Sequence, residues 1–198
     1  MNNLLNTGKD LKNETANLAG ALKSPNLRGK WGEVQLKRLL EISGMLPYCD
    51  FDEQHSFETE DDKKIRPDII IKLPDNRKII IDAKTPVMDY IQAVNTNNAD
   101  DQNSMIKNYI KSINEHINKL SGKKYFESIY PSPEFVIMFL PGESFFSTAL
   151  QQDPFIIEKA MKQKIIIATP STLLAMLNTI ALSWKQFNIT NNLKDVLK

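Results

Sequence analysis

One cysteine, Cys49, in 198 residues leaves no partner for an internal disulfide. That excludes a disulfide-stapled scaffold and fits a reducing compartment. The two histidines, His55 and His116, stand far apart, without metal-ligand spacing and without a serine or cysteine arranged beside them. Neither a zinc centre nor a hydrolase triad is expected. No apolar run approaches the roughly 18 residues of a membrane span, and the first residues lack a signal-peptide core. The chain therefore reads as cytoplasmic, and membrane tethering would require a further segment before Met1. Excess charge is missing too: 25 basic residues stand against 24 acidic ones, a net charge of +1. With no global positive field to advertise nucleic acid, any DNA surface must be local.

What is present is ordinary globular composition, 41% hydrophobic and 25% charged, at a length suited to one domain with a small appendage. The appendage is residues 1–23. Leu4, Leu11 and Leu18 recur every seven positions, with Leu22 following, as on a helix with a narrow apolar seam. Such a helix is either the end of a coiled coil that mediates self-association or an amphipathic helix resting on the domain. Ser24-Pro25 interrupts it, as a cap and first-turn proline would, and the domain proper runs over 24–198.

The informative segment is central. Ile65, Ile69, Ile71 and Leu73, then Ile79, Ile80 and Ile81, form two β-branched runs around Pro74-Asp75-Asn76-Arg77, a turn sequence. A reversal near Asp75 sets positions summing to about 150 opposite each other. Asp68 of Arg66-Pro67-Asp68 then faces Asp82 of Asp82-Ala83-Lys84, with Cβ atoms ~5 Å apart. Lys84 shares the face of Asp82 because side chains alternate with period two. Facing carboxylates repel, so the pair requires a proton, a cation or good solvation. Mg²⁺ supplies that, taking one or two carboxylates plus water and phosphate, while a lysine orients an attacking water. The plainer alternative is three solvated hairpin residues.

Upstream, the helix through Trp31 to Ser43 directs Val34, Leu36, Leu39 and Leu40 to the core, and its spacing sets Glu33 on the apolar side. Gly29 and Gly32 flank it and permit close approach of another backbone. Tyr48 to Phe57 reads as a strand, and Thr59 to Lys64 as a charged turn. A helix follows from about Val87, and another over Ser104 to Leu120, where Ile106, Tyr109, Ile110, Ile113, Ile117 and Leu120 make an apolar stripe ended by Gly122. Phe135 to Leu140 is a buried strand, and Pro141-Gly142-Glu143-Ser144 opens a helix through Leu150. A short helix at Pro154 to Met161, a strand at Lys164 to Ala168 and a long helix from Ser171, capped by Ser171 and Thr172, complete an α/β alternation.

Four ordered motifs, Asn26-Leu27-Arg28-Gly29-Lys30-Trp31-Gly32-Glu33, the Arg66-Pro67-Asp68 and Asp82-Ala83-Lys84 pair, Phe135 to Glu143, and Thr169-Pro170-Ser171-Thr172, resemble the RmuC family of DNA recombination proteins. The resemblance implies a restriction-endonuclease-like core of the PD-(D/E)xK nuclease superfamily: a helix, three antiparallel strands, a helix and a further strand, as a mixed central sheet flanked by helices. It implies Asp68, Asp82 and Glu33 as ligands of Mg²⁺ or Mn²⁺, and Lys84 as the water-positioning amine. The implied role is limiting DNA rearrangement at inverted repeats, as a metal-dependent DNA nuclease or as a non-catalytic module that binds structured DNA. Arg28, Lys30, Lys63, Lys64, Arg66, Lys123 and Lys124 are the candidate phosphate contacts.

Overall fold

Pro74, Asp75 and Asn76 wind one turn of 3-10 helix between two isoleucine-rich strands. Asn76 sits in the left-handed region at φ 62°, which asparagine tolerates better than most residues, and the Leu73 N–H donates to the Arg77 carbonyl at 2.8 Å. Ile69 pairs with Ile81, Ile70 with Ile80 and Ile71 with Ile79, the register expected of a reversal near Asp75. In this computed structural model the described residues are 25–50, 57–58, 64–65, 67–83, 87–96, 98–122 and 135–196. The appendage 1–23, with its evenly spaced leucines, lies outside them.

In chain order the elements are helix α1 (Pro25–Ile42), strands β1 (Cys49–Asp50), β2 (Phe57–Glu58), β3 (Lys64–Ile65), β4 (Ile69–Lys72) and β5 (Lys78–Asp82), then helices α2 (Val87–Asn95) and α3 (Ala99–Ser121). Strand β6 (Val136–Phe139), helices α4 (Glu143–Gln152) and α5 (Ile156–Lys162), strand β7 (Ile165–Ala168) and helix α6 (Pro170–Val196) follow. The main sheet has five strands in the order β1-β4-β5-β6-β7. β1, β4 and β5 pair antiparallel, while β5, β6 and β7 pair parallel, so the fold is mixed α/β.

Ile65 does not belong to the central hairpin as expected. It lies in β3 and pairs with Phe57 in a separate two-stranded ribbon. Pro67 accounts for the break, because it offers no N–H to a ladder.

Alternation sorts the isoleucines onto two faces. Ile70, Ile80, Val136 and Met138 pack with Tyr109, Ile113 and Ile117 of α3 and Phe145 of α4. Ile69, Ile71, Ile79, Ile81, Ile137 and Phe139 pack with Leu36 and Leu40 of α1 and Leu173 and Leu177 of α6. Both faces are covered, which is why these strands are nearly continuous apolar runs. Helix α3 starts at Ala99, well before the expected Ser104, because the Asn98 side chain caps it by accepting from the Asp100 N–H at 3.0 Å.

The inward line of α1 is Gly32, Leu36 and Leu40, all buried. Val34, expected in the core, is 57% exposed, since two residues off that line is the far side of a helix. The helix ends in a Schellman arrangement: the Gly44 N–H donates to the Glu41 carbonyl at 3.0 Å and the Met45 N–H to the Leu40 carbonyl at 2.9 Å. Gly44 holds φ +69° there. Replacing it with alanine is expected to cost about 1 kcal/mol, from the left-handed backbone alone. A lowered urea midpoint at unchanged m-value checks this.

Candidate functional site

Because β5, β6 and β7 are parallel, their carboxyl ends meet at one edge of the sheet, and antiparallel β4 begins at that edge. Asp82 ends β5, Asp68 immediately precedes β4, Gly142 and Glu143 follow β6, and Thr169 to Ser171 follow β7. Segments far apart in sequence thus converge where open α/β sheets bind their ligands. Helix α1 reaches the same edge: a Cβ on Gly32 would lie 3.4 Å from the Ala83 carbonyl oxygen.

The β4–β5 register runs to Ile69 opposite Ile81, and Asp68 immediately precedes it while Asp82 immediately follows it. Asp68 is half-buried, and its Oδ2 accepts the Ala83 N–H at 2.8 Å. That bond ties the carboxylate across the hairpin mouth and satisfies the first amide past β5. Asp82 is fully buried, one of few buried polar side chains among the described residues.

His116 of α3, passed over in the sequence, stands against Asp82, with Nε2 3.3 Å from Oδ1. The distance is that of an ion pair, but the angles are not those of a hydrogen bond, and Nε2 is buried with no hydrogen-bond partner among the described residues. We take the geometry as a close but misdirected contact, because a charge-assisted N–H···O bond would be shorter, ~2.8 Å. A buried nitrogen left so costs about 1–3 kcal/mol. The signal in the sequence was the phase of α3: His116 lies three residues past Ile113 and four before Leu120, beside the buried stripe.

Glu33 needs correction. It follows Gly32 at the helix–strand contact, yet its side chain is exposed, because the apolar line is carried by Gly32, Leu36 and Leu40 and Glu33 lies a quarter turn off it. Among the described residues no three histidine, cysteine or acidic side chains gather as a metal cluster. Carboxylates such as those of Asp68 and Asp82 are the donor type a hard cation takes, with water or phosphate supplying the rest. Lys84, Lys63, Arg66, Lys123 and Lys124 lie outside the described residues. Arg28 and Lys30 fall on α1 and Lys64 on β3.

The remaining two motifs brace each other. Glu143, in the first turn of α4 as expected, also accepts the Ser171 N–H at 2.9 Å through Oε1, bridging the β6 and β7 loops. Thr169, not Ser171 or Thr172, caps α6: its carbonyl accepts the Leu173 N–H at 2.8 Å, and Thr172 Oγ1 reaches back to accept the Thr169 N–H at 2.7 Å. Pro170 fits the first helical position, where no N–H is needed. Partial burial opposes ionisation of Glu143, but hydrogen bonds from Ser171 and Thr169 outweigh it and hold the carboxyl below its ordinary range. A depressed carboxylate contributes stability above its unfolded pKa and loses it as pH falls through the folded one. Glu143→Gln should therefore lower stability at neutral pH and leave the acid end nearly unchanged, flattening the acid limb of the stability–pH profile, which thermal melts across pH 3 to 7 read directly.

Comparison with known proteins bears on the whole chain. The RmuC family profile matches residues 1–198. A DNA recombination protein RmuC homolog of Chlamydia muridarum is 42% identical over 198 residues, covering 99% of this chain and 44% of the relative. A homolog from Chlamydia pneumoniae is 44% identical over 193 residues, covering 98% of this chain and 44% of its own length. DNA recombination protein RmuC of Escherichia coli K12 is 33% identical over 197 residues, covering 98% and 41%. The chain thus spans less than half the length of these relatives. No solved structure matches it. The chain belongs to the RmuC family.

Proposed function

We propose that this chain is the divalent-metal-dependent DNA-cleaving domain of a DNA recombination protein, limiting rearrangement such as inversion at short inverted repeats. The observation that carries the proposal is the Asp68 carboxylate tied to the Ala83 N–H, one residue past buried Asp82, at the carboxyl edge of the sheet where the other family motifs converge. The names of the relatives support a recombination role. The element order supports a nuclease-like core: a helix, three antiparallel strands, helices and a further parallel strand.

Asp68, steadied by the Ala83 N–H, and Asp82 would hold Mg²⁺ or Mn²⁺. When bound, the ion offsets the charge on the phosphate under attack. Lys84, two residues past Asp82, would orient water for in-line attack, and Glu33 at the exposed rim of α1 would approach from solvent. With a net charge of +1, DNA is gripped by local basic side chains such as Arg28, Lys30 and Lys64. Incubation with supercoiled, linear, single-stranded and hairpin DNA should give products with Mg²⁺ or Mn²⁺ and none with chelator. A chain that cuts no form sinks the proposal.

One observation favours a second reading, a non-catalytic module that binds structured DNA: Asp82 is wholly buried beside His116. Salt-sensitive DNA binding that ignores both chelator and Asp68→Ala would select it.

A further inference from the structure

We propose that the amino edge of the sheet, opposite the candidate metal site, binds single-stranded DNA, with Phe187 as the platform for an unpaired base. The inference rests on the reading of this chain as a DNA-binding protein and not on the metal site.

Charge is sorted between the two edges. Asp68, Asp82 and Glu143 gather at the carboxyl edge, whereas Lys72 ends β4, Arg77 and Lys78 open β5, Lys162 ends α5 and Lys164 immediately precedes β7. A net charge of +1 conceals this separation. Only β6 stands between β5 and β7, so two strand spacings, ~10 Å, separate the two groups of cations. Lys72 is paired directly with Lys78 across the ladder, an unfavourable arrangement that an intervening anion relieves. Lys164 is exposed and holds φ 61° at the end of α5, a left-handed conformation that glycine adopts at less cost. Keeping lysine there costs stability and sets a charge at this edge. Glu158 and Asp75 stand among these residues, and Asp153 is engaged by Lys159 at 2.6 Å, which leaves cations in excess.

An aromatic surface adjoins the cations. Beyond the sheet, α6 and the hairpin turn bound a groove of about 450 Å³, lined by Leu73, Pro74 and Arg77 on one side and Ile180, Phe187 and Thr190 on the other. That volume falls in the ~300–1,000 Å³ range of small-molecule sites, and Arg77 supplies a cation at the wall. Phe187 is the last ring of a fixed stack. Tyr48 lies face to face on Trp184 at 4.4 Å, Trp184 meets Phe187 edge-on at 5.8 Å, and the indole N–H donates to the Lys72 carbonyl at 2.9 Å. A fixed aromatic ring beside cations is how proteins hold unpaired bases while tracking the backbone. A duplex keeps its bases inside the stack and has none to offer the groove.

In chelator, which stops metal-dependent cleavage, the full chain should bind fluorescein-labelled oligothymidylate more tightly than a blunt duplex of equal length, by anisotropy. Binding of unlabelled oligothymidylate should quench the chain's tryptophan fluorescence. The chain has two tryptophans, so Trp31→Phe should keep the quenching and Trp184→Phe should lose it. Phe187→Ala should weaken binding about 5- to 100-fold, and Arg77→Ala should lower the slope of log affinity against log salt by ~0.7. Lys164→Gly should raise the melting temperature yet weaken binding, a pair of changes that a merely structural lysine would not give. Equal affinity for duplex and single strand, or single-strand binding that Arg77→Ala and Lys164→Gly leave intact, overturns the inference and leaves the metal site standing. So does a groove filled by a second copy, seen as concentration-dependent self-association that Phe187→Ala abolishes. A chain that binds no DNA in any form overturns the DNA reading as well.

Discussion

Asp82→Asn is expected to cut metal-dependent DNA cleavage by about a thousandfold or more, while the folded state loses little or no stability. An ion that neutralises a phosphate in the transition state contributes several kcal/mol, and each 1.36 kcal/mol is about tenfold in rate. Removing one of the two carboxylates proposed to hold it forfeits most of that contribution. Stability should behave differently. Asp68, bonded to the Ala83 N–H, lies next to Asp82 at the mouth of the antiparallel hairpin, where like charges are unfavourable. Asparagine keeps the shape and an oxygen toward His116 while removing half of the repulsion. A purely structural Asp82 would give the opposite pair of results, lower stability with cleavage intact. Parallel measurement of cleavage rate and melting temperature separates the two.

Leu36→Ala is expected to be the most damaging single change on α1, costing about 2–5 kcal/mol. Leu36 has no exposed surface and packs in the cluster of Ile69, Ile71, Ile81 and Phe139. Domains of this kind hold only about 5–15 kcal/mol in total, so the loss is a large share. It also loosens the contact of Gly32 with the Ala83 carbonyl, through which α1 reaches the site edge. Val34→Ala, two residues away on the exposed side, should stay within about 0.5 kcal/mol. Urea unfolding of both variants tests the phase of the helix, and equal losses would contradict it.

The central hairpin was legible because two independent signals agreed there. Period-two isoleucines named the strands, and Pro74-Asp75-Asn76 fixed the reversal, so the register that pairs Ile69 with Ile81 and Ile71 with Ile79 followed. The stripe of α3 was legible for the same reason, a long unbroken period. Helix α1 was not. Val34, Leu36, Leu39 and Leu40 allow two phases, and the residue that decides between them, Gly32, has no side chain to count. That ambiguity drew Glu33 inward when it belongs at the exposed rim. His116 escaped notice because its partner lies on another element, and no local rule relates a residue of α3 to the end of β5. The cap of α6 slipped for a smaller reason: Thr169, Ser171 and Thr172 are all good caps by type, and only the hydrogen bonds choose Thr169.

Anomalous diffraction from crystals of the chain soaked in Mn²⁺ tests the metal site most directly. A site held by Asp68 and Asp82 gives one strong peak between the two carboxylates, absent from crystals of Asp82→Asn. Ordered carboxylates with no peak between them at saturating Mn²⁺, or a peak that survives Asp82→Asn, would contradict it.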